Sequence, residues 1–399
     1  MRILNVTQSY APFFEFGGPP VKVKALAEGM ARRGHEVTVL TADWGLDARL
    51  AQLGSEPPAE TSSFGRRTKV NGVATVYLPN WLHFRATTWN PALGRYLRAR
   101  LGEFDVAHIF GLYDLLGPRV AKECRRRGIP YVVEPIGMFV PIVRSFWLKK
   151  MYHRVWGGEM LAGAAAIVVT AEQEREEVLA GGLAGGKIVL RRNGVEAPST
   201  LPERGRFRKA LGIPAQDKLI LFLGRLSQKK SPDLLLQAFA ALTETVRTFD
   251  AVPQLAFVGP DESGMKARLQ QIATEAGVAQ RVHISPPLDG DAKWAAYRDA
   301  DIFVLPSQNE NFGNSAAEAV AAGTPVIVTD QCGIAPLLCG TAGIVVKHDQ
   351  DELQAAITRL LEDGELYRQL QEGCSVAVAK LDWQQPLEQM EQIYSGLAR

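Results

Sequence analysis

The chain has 399 residues, with 45 Lys+Arg against 43 Asp+Glu and 46% hydrophobic content. That is room for two or three domains, each large enough for its own core. No run approaches the ~18 uninterrupted apolar residues of a spanning helix, and Met1–Val6 turns polar too soon for a secretory leader. Cys124, Cys332, Cys339 and Cys374 are too scattered for a disulfide framework or a CxxC metal site, so a reducing, cytoplasmic compartment is expected. The net charge of +2 conceals a division. Residues 1–195 hold 26 Lys+Arg and 17 Asp+Glu, whereas 196–399 hold 19 and 26. Halves of opposite sign predict two domains with different partners.

Taken in chain order, the first half alternates strands and helices. Ile3–Thr7 is a buried-strand run, followed by a loop with Pro12, Gly17, Gly18, Pro19 and Pro20. Val21–Arg33 has helical spacing and stops at Gly34, and Val37–Thr41 is the next strand. Residues 45–70, rich in Gly, Ser and Pro, are expected to form a long loop. Strands over Asp105–Phe110, Tyr131–Val133 and Ala165–Thr170 continue the series, with a helix over Leu115–Arg127. Near Arg191–Pro202 the pattern breaks: Asn193-Gly194 is a turn signal, and Pro198 and Pro202 interrupt regular structure.

It then restarts. Strands are predicted at Leu219–Gly224, Gln254–Gly259, His283–Ser285, Ile302–Pro306 and Pro325–Thr329. Helices are predicted at Pro232–Ala241, Glu262–Ala276, Lys293–Asp299 and Ser315–Ala322. Strands alternating with helices make parallel sheets covered on both faces. The expected fold class is therefore α/β, with two Rossmann-like, doubly wound domains facing each other across a cleft. The partition is 1–193, 194–380 and a terminal helical segment, 381–399.

The segment Pro306–Glu318 carries the most chemistry. It leaves a buried strand and opens a helix, so the free amides at Asn314 and Ser315 suit a phosphate oxygen. Gly313 permits close backbone approach. Glu318, a turn inside, leans back toward the helix start and could accept from a ribose diol. Glu310, before the helix, could contact a sugar hydroxyl. Taken singly, Glu310 reads as a solvated loop carboxylate and Glu318 as a capping residue; their spacing, the Phe312-Gly313 step and the strand–helix context favour the ligand reading. In Gly224–Asp233 a second strand–helix loop offers Arg225 and Lys230, a guanidinium and an ammonium able to neutralise a diphosphate. Gly17-Gly18 on the first strand–helix loop is a weaker signal of the same kind. The chain has no GxGxxG or GxxxxGK[ST] motif, which counts against a nicotinamide dehydrogenase or a P-loop NTPase.

Other residues read as structural. Asp289-Gly290-Asp291 and Asp299-Ala300-Asp301 have the DxD form of a metal site but fall at element boundaries, the first expected to cap a helix beginning near Ala292. The histidines form no pair at ligand spacing. His108, near a strand end, is open to either a structural or an acid–base role.

Together these residues resemble the retaining GT-B glycosyltransferases of family 4, also called glycosyltransferase group 1. The resemblance rests on Gly17-Gly18 with Arg32–Val37, Arg192-Asn193-Gly194-Val195, Gly224-Arg225-Leu226, the E-x7-E pair Glu310/Glu318 and Ala321–Val326. It implies transfer of a sugar from a nucleotide donor with retention at the anomeric carbon, no cofactor and no essential metal. By similarity, Arg225 and Lys230 would hold the diphosphate and stabilise its growing charge. Glu310 would hold donor-sugar hydroxyls, the Asn311-Phe312-Gly313-Asn314-Ser315 backbone would support sugar and phosphate, and Glu318 would bind ribose. Gly17 and Gly18 would close over the diphosphate from the N-terminal, acceptor-binding domain; residues 194–380 would bind the donor. Such folds finish with a helix crossing back to the first domain, which suits Trp383–Leu397.

The chain departs from the family in one place. Many members carry His after the strand matching Tyr131–Val133, whereas Glu134-Pro135-Ile136-Gly137-Met138 puts Ile136 there. The acceptor's proton must leave otherwise, to the departing phosphate oxygen, Glu134 or His108.

Arg144–Trp156 interleaves cations with aromatics. With Arg125-Arg126-Arg127 and Arg95, Arg98 and Arg100 it could rest on an anionic inner-leaflet surface and reach a lipid-linked acceptor. The alternative is a helix with Phe146, Met151 and Trp156 in the core. The expected activity is transfer of a hexose-type sugar from a UDP- or GDP-sugar to an acceptor glycan, lipid-linked, in cell-surface polysaccharide or glycoconjugate synthesis, with no nucleic-acid partner. The competing readings are a nucleotide-sugar epimerase of related fold and a non-catalytic sugar-nucleotide-binding module.

Overall fold

The computed structural model describes residues 1–52, 60–84, 87–140, 146–245, 252–262 and 264–398. They divide into two compact units, Met1–Asn193 with Trp383–Arg399, and Gly194–Asp382.

The first unit opens with β1 (Arg2–Thr7), α1 (Gly18–Arg32) and β2 (Glu36–Ala42). It continues through β3 (Glu60–Ser62), β4 (Gly65–Val70), β5 (Val73–Leu78), β6 (Leu82–Phe84), β7 (Thr87–Trp89), α2 (Ala92–Arg100), β8 (Val106–Phe110), α3 (Leu116–Arg127) and β9 (Tyr131–Glu134). Then follow α4 (Phe146–Tyr152), a π-helical turn over His153–Gly157, α5 (Gly158–Ala162), β10 (Ala166–Val169), α6 (Glu172–Ala180) and β11 (Ile188–Leu190). The main sheet runs β11-β10-β9-β8-β1-β2-β5-β4-β3, parallel from β11 through β5 and antiparallel at its β5-β4-β3 edge. The central parallel strands are buried on both faces, which is why Ile3–Thr7 and Val106–Phe110 are mostly apolar, with Asn5, Thr7 and His108 the polar residues taken into the interior.

Residues 45–70 correct the expected loop, because they include β3, β4 and a 3-10 segment over Leu46–Gln52. Only Thr68 of β4 is buried, so this strand of Arg, Thr and Lys, next to the outermost strand β3, shows none of the apolar alternation that marks a strand.

The second unit holds α7 (Arg206–Leu211), β12 (Lys218–Leu223), α8 (Pro232–Thr245), β13 (Pro253–Val258), α9 (Met265–Glu275), β14 (Val282–Ser285) and α10 (Gly290–Asp299). β15 (Ile302–Leu305), α11 (Asn314–Ala321), β16 (Val326–Thr329), α12 (Ala335–Leu338), β17 (Gly343–Val346), α13 (Gln350–Glu362) and α14 (Gly364–Ala379) complete it. Its strands are all parallel, in the order β14-β13-β12-β15-β16-β17. Chain direction across the sheet reverses between β12 and β15, which makes the carboxyl ends of these two strands the topological switch point where doubly wound sheets take ligands.

The last helix, α15 (Gln384–Leu397), packs with the first unit. Met390 and Tyr394 join the core formed by Ile3, Val23, Leu26 and Val39, and Glu391 pairs with Arg33 and His35 at 2.8 Å. Among the described residues no helix is long and apolar enough to cross a membrane. The cysteines are unpaired, Cys124, Cys332 and Cys374 in the interior and Cys339 at the surface.

Candidate active site

The loops leaving β12 and β15 meet at the switch point. After β12 the chain makes a 3-10 turn over Gln228–Lys230 and a left-handed residue at Ser231 (φ 48°) before α8. His348 sits 2.9 Å from the Ser231 hydroxyl and supports that turn. The turn directs the Lys230 ammonium onto the Glu310 carboxylate at 2.8 Å. Burial alone would raise the Glu310 carboxyl, but Lys230, with Lys229 and Arg225 nearby, outweighs it and holds the group below its ordinary value. The carboxylate is therefore ionised at neutral pH, and the two sequence-predicted residues form one charged pair.

Backbone bonds fix this pair in place. Gln308 donates its amide to the Lys229 carbonyl at 2.9 Å, tying one loop to the other. Glu310 donates to Gln331 and accepts from Gly333, each at 2.9 Å, so the segment after β16 clamps it on both sides. Gly259, the residue after β13, must lack a side chain, since a Cβ there would collide with the Gly224 carbonyl. Arg225 stands 3.7 Å from Glu262 at the surface of the same loop.

The start of α11 is built by Gly313, at φ 106°, where a Cβ would come within 2.9 Å of Ile334. No side chain caps that end. Asn314 and Ser315 open the helix, and among the described residues the buried Ser315 hydroxyl has no hydrogen-bond partner. Phe312 is different in kind: its ring is buried in the core and its carbonyl accepts from Ile334 at 2.7 Å, so it anchors the loop. Asn311 precedes it between Glu310 and the core-anchored ring.

Glu318 is held by two residues that the sequence reading passed over. Lys293 donates to one oxygen at 2.7 Å and the Tyr297 hydroxyl to the other at 2.8 Å. Both lie on α10 four residues apart, hence on one face. Burial first, and then the Glu318 carboxylate, keep the Tyr297 hydroxyl protonated far above its ordinary range. The i,i+4 spacing of a Lys and a Tyr was visible in the sequence; its target was not.

Gly17 and Gly18 lie in the first unit, Gly17 at φ 94° joining a 3-10 turn to α1 and Gly18 opening that helix. His108 and Glu134 correct the expectation that either could receive the acceptor's proton. Both are fully buried. Glu134 accepts two bonds from Arg191 at 2.8 Å and also pairs with Lys22. His108 is 2.6 Å from the Tyr394 hydroxyl and 3.6 Å from Glu134. Burial drives its imidazole down to about 3. These are interior groups of an ion network, with no accessible basic atom.

The DxD segments are structural as well. Asp299 accepts the amides of Gly205, Phe207 and Arg208, capping α7, while Asp301 bonds Arg208 and the Leu219 amide. Asp289 is the residue before α10, which starts at Gly290, but its side chain makes no capping bond. Among the described residues no group of three or more His, Cys, Asp or Glu is placed to hold a metal ion.

Comparison with known proteins places this geometry. Residues 203–374 match the family described as glycosyl transferases group 1, and residues 17–194 match the glycosyl transferase 4-like domain. A D-inositol 3-phosphate glycosyltransferase of Xylanimonas cellulosilytica is 31% identical over 405 aligned positions, covering 95% of this chain and 91% of that protein. One from Thermomonospora curvata is 33% identical, the alignment spanning 61% of this chain and only 60% of the relative. Among solved structures, Anabaena HepE in complex with UDP and glucose superposes with a TM-score of 0.75 at 18% identity, over 99% of this chain and 100% of that one. The two parallel-sheet units are those of the GT-B fold, and the chain belongs to the glycosyltransferase group 1 family, GT4.

Proposed function

We propose that this protein transfers a hexose-type sugar from a UDP- or GDP-sugar to an acceptor glycan, with retention of anomeric configuration and without a metal ion. The observation that carries this reading is the Lys230–Glu310 pair at the switch point, 2.8 Å apart. In the resting enzyme each charge satisfies the other. A donor diphosphate offers Lys230 a second anion and lies within reach of Arg225 on the same loop, so positive charge is ready as the leaving group's negative charge grows. That supply of cations is the reason a divalent ion is dispensable. Glu310 then turns its acceptor oxygens to the hydroxyls of the sugar. Glu318, oriented by Lys293 and Tyr297, receives the ribose diol near the amides at the start of α11. Gly17 and Gly18 take the diphosphate from the acceptor-binding unit.

With Ile136 in place of a histidine, and with His108 and Glu134 enclosed, the acceptor's proton passes to the departing phosphate oxygen. Bond formation and bond breaking then occur on the same face of the sugar, which gives retention. The acceptor we favour is a lipid-linked glycan in cell-surface polysaccharide or glycoconjugate synthesis, used at the inner face of the cytoplasmic membrane. The relatives' name, D-inositol 3-phosphate glycosyltransferase, supports a second class, a phosphorylated polyol. Both classes belong in one assay. A thermal-shift screen over nucleoside diphosphates and sugar nucleotides identifies the donor, since a ligand bound by the native state alone raises the melting temperature. Turnover with each acceptor class follows. Stabilisation by none of the UDP- or GDP-linked compounds would reject the donor assignment, and isomerised donor without acceptor would favour the epimerase.

A further inference from the structure

The +9 balance of the first half is not carried where its densest basic run lies. Arg126 and Arg127 pair with Glu123, Arg125 with Glu159, and Arg100 with Glu103. Arg144 falls outside the described residues. Among the described cations that no carboxylate pairs, Arg98, Arg119 and Lys122 lie together. At Gly94 on α2, a Cβ would lie 3.0 Å from the Arg119 guanidinium and 3.8 Å from that of Arg98. Two guanidinium groups therefore crowd the space over one glycine, with neither drawn away by an acid. Lys122, one turn beyond Arg119 on α3, is exposed beside them.

Arg119 and Lys122 also line a groove of about 420 Å³ whose other walls include Trp89, from the β6–β7 hairpin, and Trp156, from the π-helical turn. Around it the apolar surface is large for a globular protein. Trp147 is 80% exposed, Trp81 74% and Leu82 73%, with Met151, Val155, Trp89 and Trp156 also open to solvent. Trp147, Met151 and Val155 recur every four residues along α4 and the turn after it, and so share a side. Met151 and Trp156 are thus not core residues. Contiguous exposed apolar groups of this extent mark an interaction surface. Tryptophans beside unneutralised cations are the chemistry of a lipid–water interface: indole at headgroup depth, guanidinium on phosphate.

We propose that this face docks on a bilayer leaflet containing anionic phospholipid. A lipid phosphate sits over Gly94 between Arg98 and Arg119, with Lys122 beside it, and the Trp81/Leu82/Trp89 hairpin and the Trp147/Met151/Val155 stripe enter the headgroup layer. The occupant follows from charge: a second copy of this chain would bring the same cationic patch of Arg98, Arg119 and Lys122 against itself, whereas an anionic leaflet complements it. This inference deepens the lipid-linked acceptor reading but does not depend on donor chemistry.

The test is co-sedimentation of the full chain with phosphatidylcholine vesicles, with and without phosphatidylglycerol, in the absence of donor and acceptor. Binding at least ~10-fold tighter to the anionic vesicles, weakening as salt rises, is expected. The double variant Arg98→Glu/Arg119→Glu should lose the anionic preference. Trp81→Ala/Trp147→Ala should lose binding while keeping the wild-type circular dichroism spectrum. Equal binding to neutral vesicles, no binding to either, or no effect of the arginine variant would overturn the proposal. So would a concentration-dependent dimer abolished by Trp81→Ala/Trp147→Ala with no vesicle binding. Because no turnover is read, failure here leaves the transferase reading standing, and failure of transfer leaves this result standing.

Discussion

The Lys230 ammonium and the Glu310 carboxylate are joined across two different strand–helix loops, at 2.8 Å, at the point where the second sheet reverses direction. Each is about one-fifth exposed, so the pair is reachable by a ligand yet shielded enough for its charge to matter. Neither residue has another ionic partner of comparable proximity among the described residues. In the proposed reading a diphosphate entering there would meet Lys230 first as a charge and Glu310 as the group that charge was holding.

Lys230→Ala should reduce transfer by ~10²-fold or more, the range for removing a stabiliser of developing negative charge. Steady-state turnover at saturating acceptor reads this. Near-normal turnover would remove Lys230 from its role.

Tyr297→Phe deletes one of the two donors to Glu318 without changing the shape of the buried ring. Loss of a hydrogen bond to a charged group points to a ~3–10-fold rise in donor KM with kcat nearly unchanged. Lys293→Met should behave alike. A fall in kcat with donor KM unchanged would show that Glu318 is not oriented for ribose.

Gly259→Ala tests the packing beneath the site. Its methyl would be forced against the Gly224 carbonyl, and rigid backbone is on the other side. Overpacking of this kind costs ~1–3 kcal/mol, measurable as a lower urea midpoint with an unchanged slope. A variant as stable as wild type would mean the two strand ends are looser than the structure shows.

Acidification should weaken the first unit in two stages. The buried His108 imidazole lies near 3 rather than 6.5, so below pH ~6.5 the unfolded chain takes up a proton that the folded chain refuses, and stability falls as pH drops. Glu134 acts later: burial would raise its carboxyl, but Arg191 and Lys22 hold it near 2, and its contribution disappears as pH falls from about 4.5 toward that value. Denaturation curves at pH 7.5 and 5.5 check the first stage. His108→Gln should shrink the difference between the two pH values, whatever its effect at either one. Glu134→Gln, which strands Arg191 and Lys22 in the interior, should cost ~3–5 kcal/mol.

What the sequence made legible follows the periodicities that burial imposes. β12 could be read because Leu219, Ile220, Leu221 and Phe222 are all buried and so had to be apolar. β4 could not, because it lies between β5 and the outermost strand β3 and buries only Thr68. At the candidate site, Glu310, Arg225 and Lys230 were visible as polar residues on loops after buried strands, where binding residues concentrate, and Glu318 as a carboxylate one turn inside the helix that follows such a loop. The pairing of Lys230 with Glu310 was not visible, since it is made between loops some eighty residues apart. Tyr297 was hidden for a similar reason: on α10 it reads as a core aromatic, and it is one, with only its hydroxyl reaching Glu318. His108 and Glu134 show the opposite error. Polar residues at strand ends suggested chemistry, but Arg191 and Lys22, distant in sequence, enclose Glu134, and Tyr394, also distant, closes on His108.

The most direct test of the account is release of nucleoside diphosphate from UDP- and GDP-hexoses by the wild-type chain and by Lys230→Ala, with and without acceptor, together with the anomeric configuration of the product. The account predicts acceptor-dependent release by the wild type, a product with the donor's configuration, and ~1% of that rate or less for the variant. Inverted product, or equal release by the variant, would contradict it.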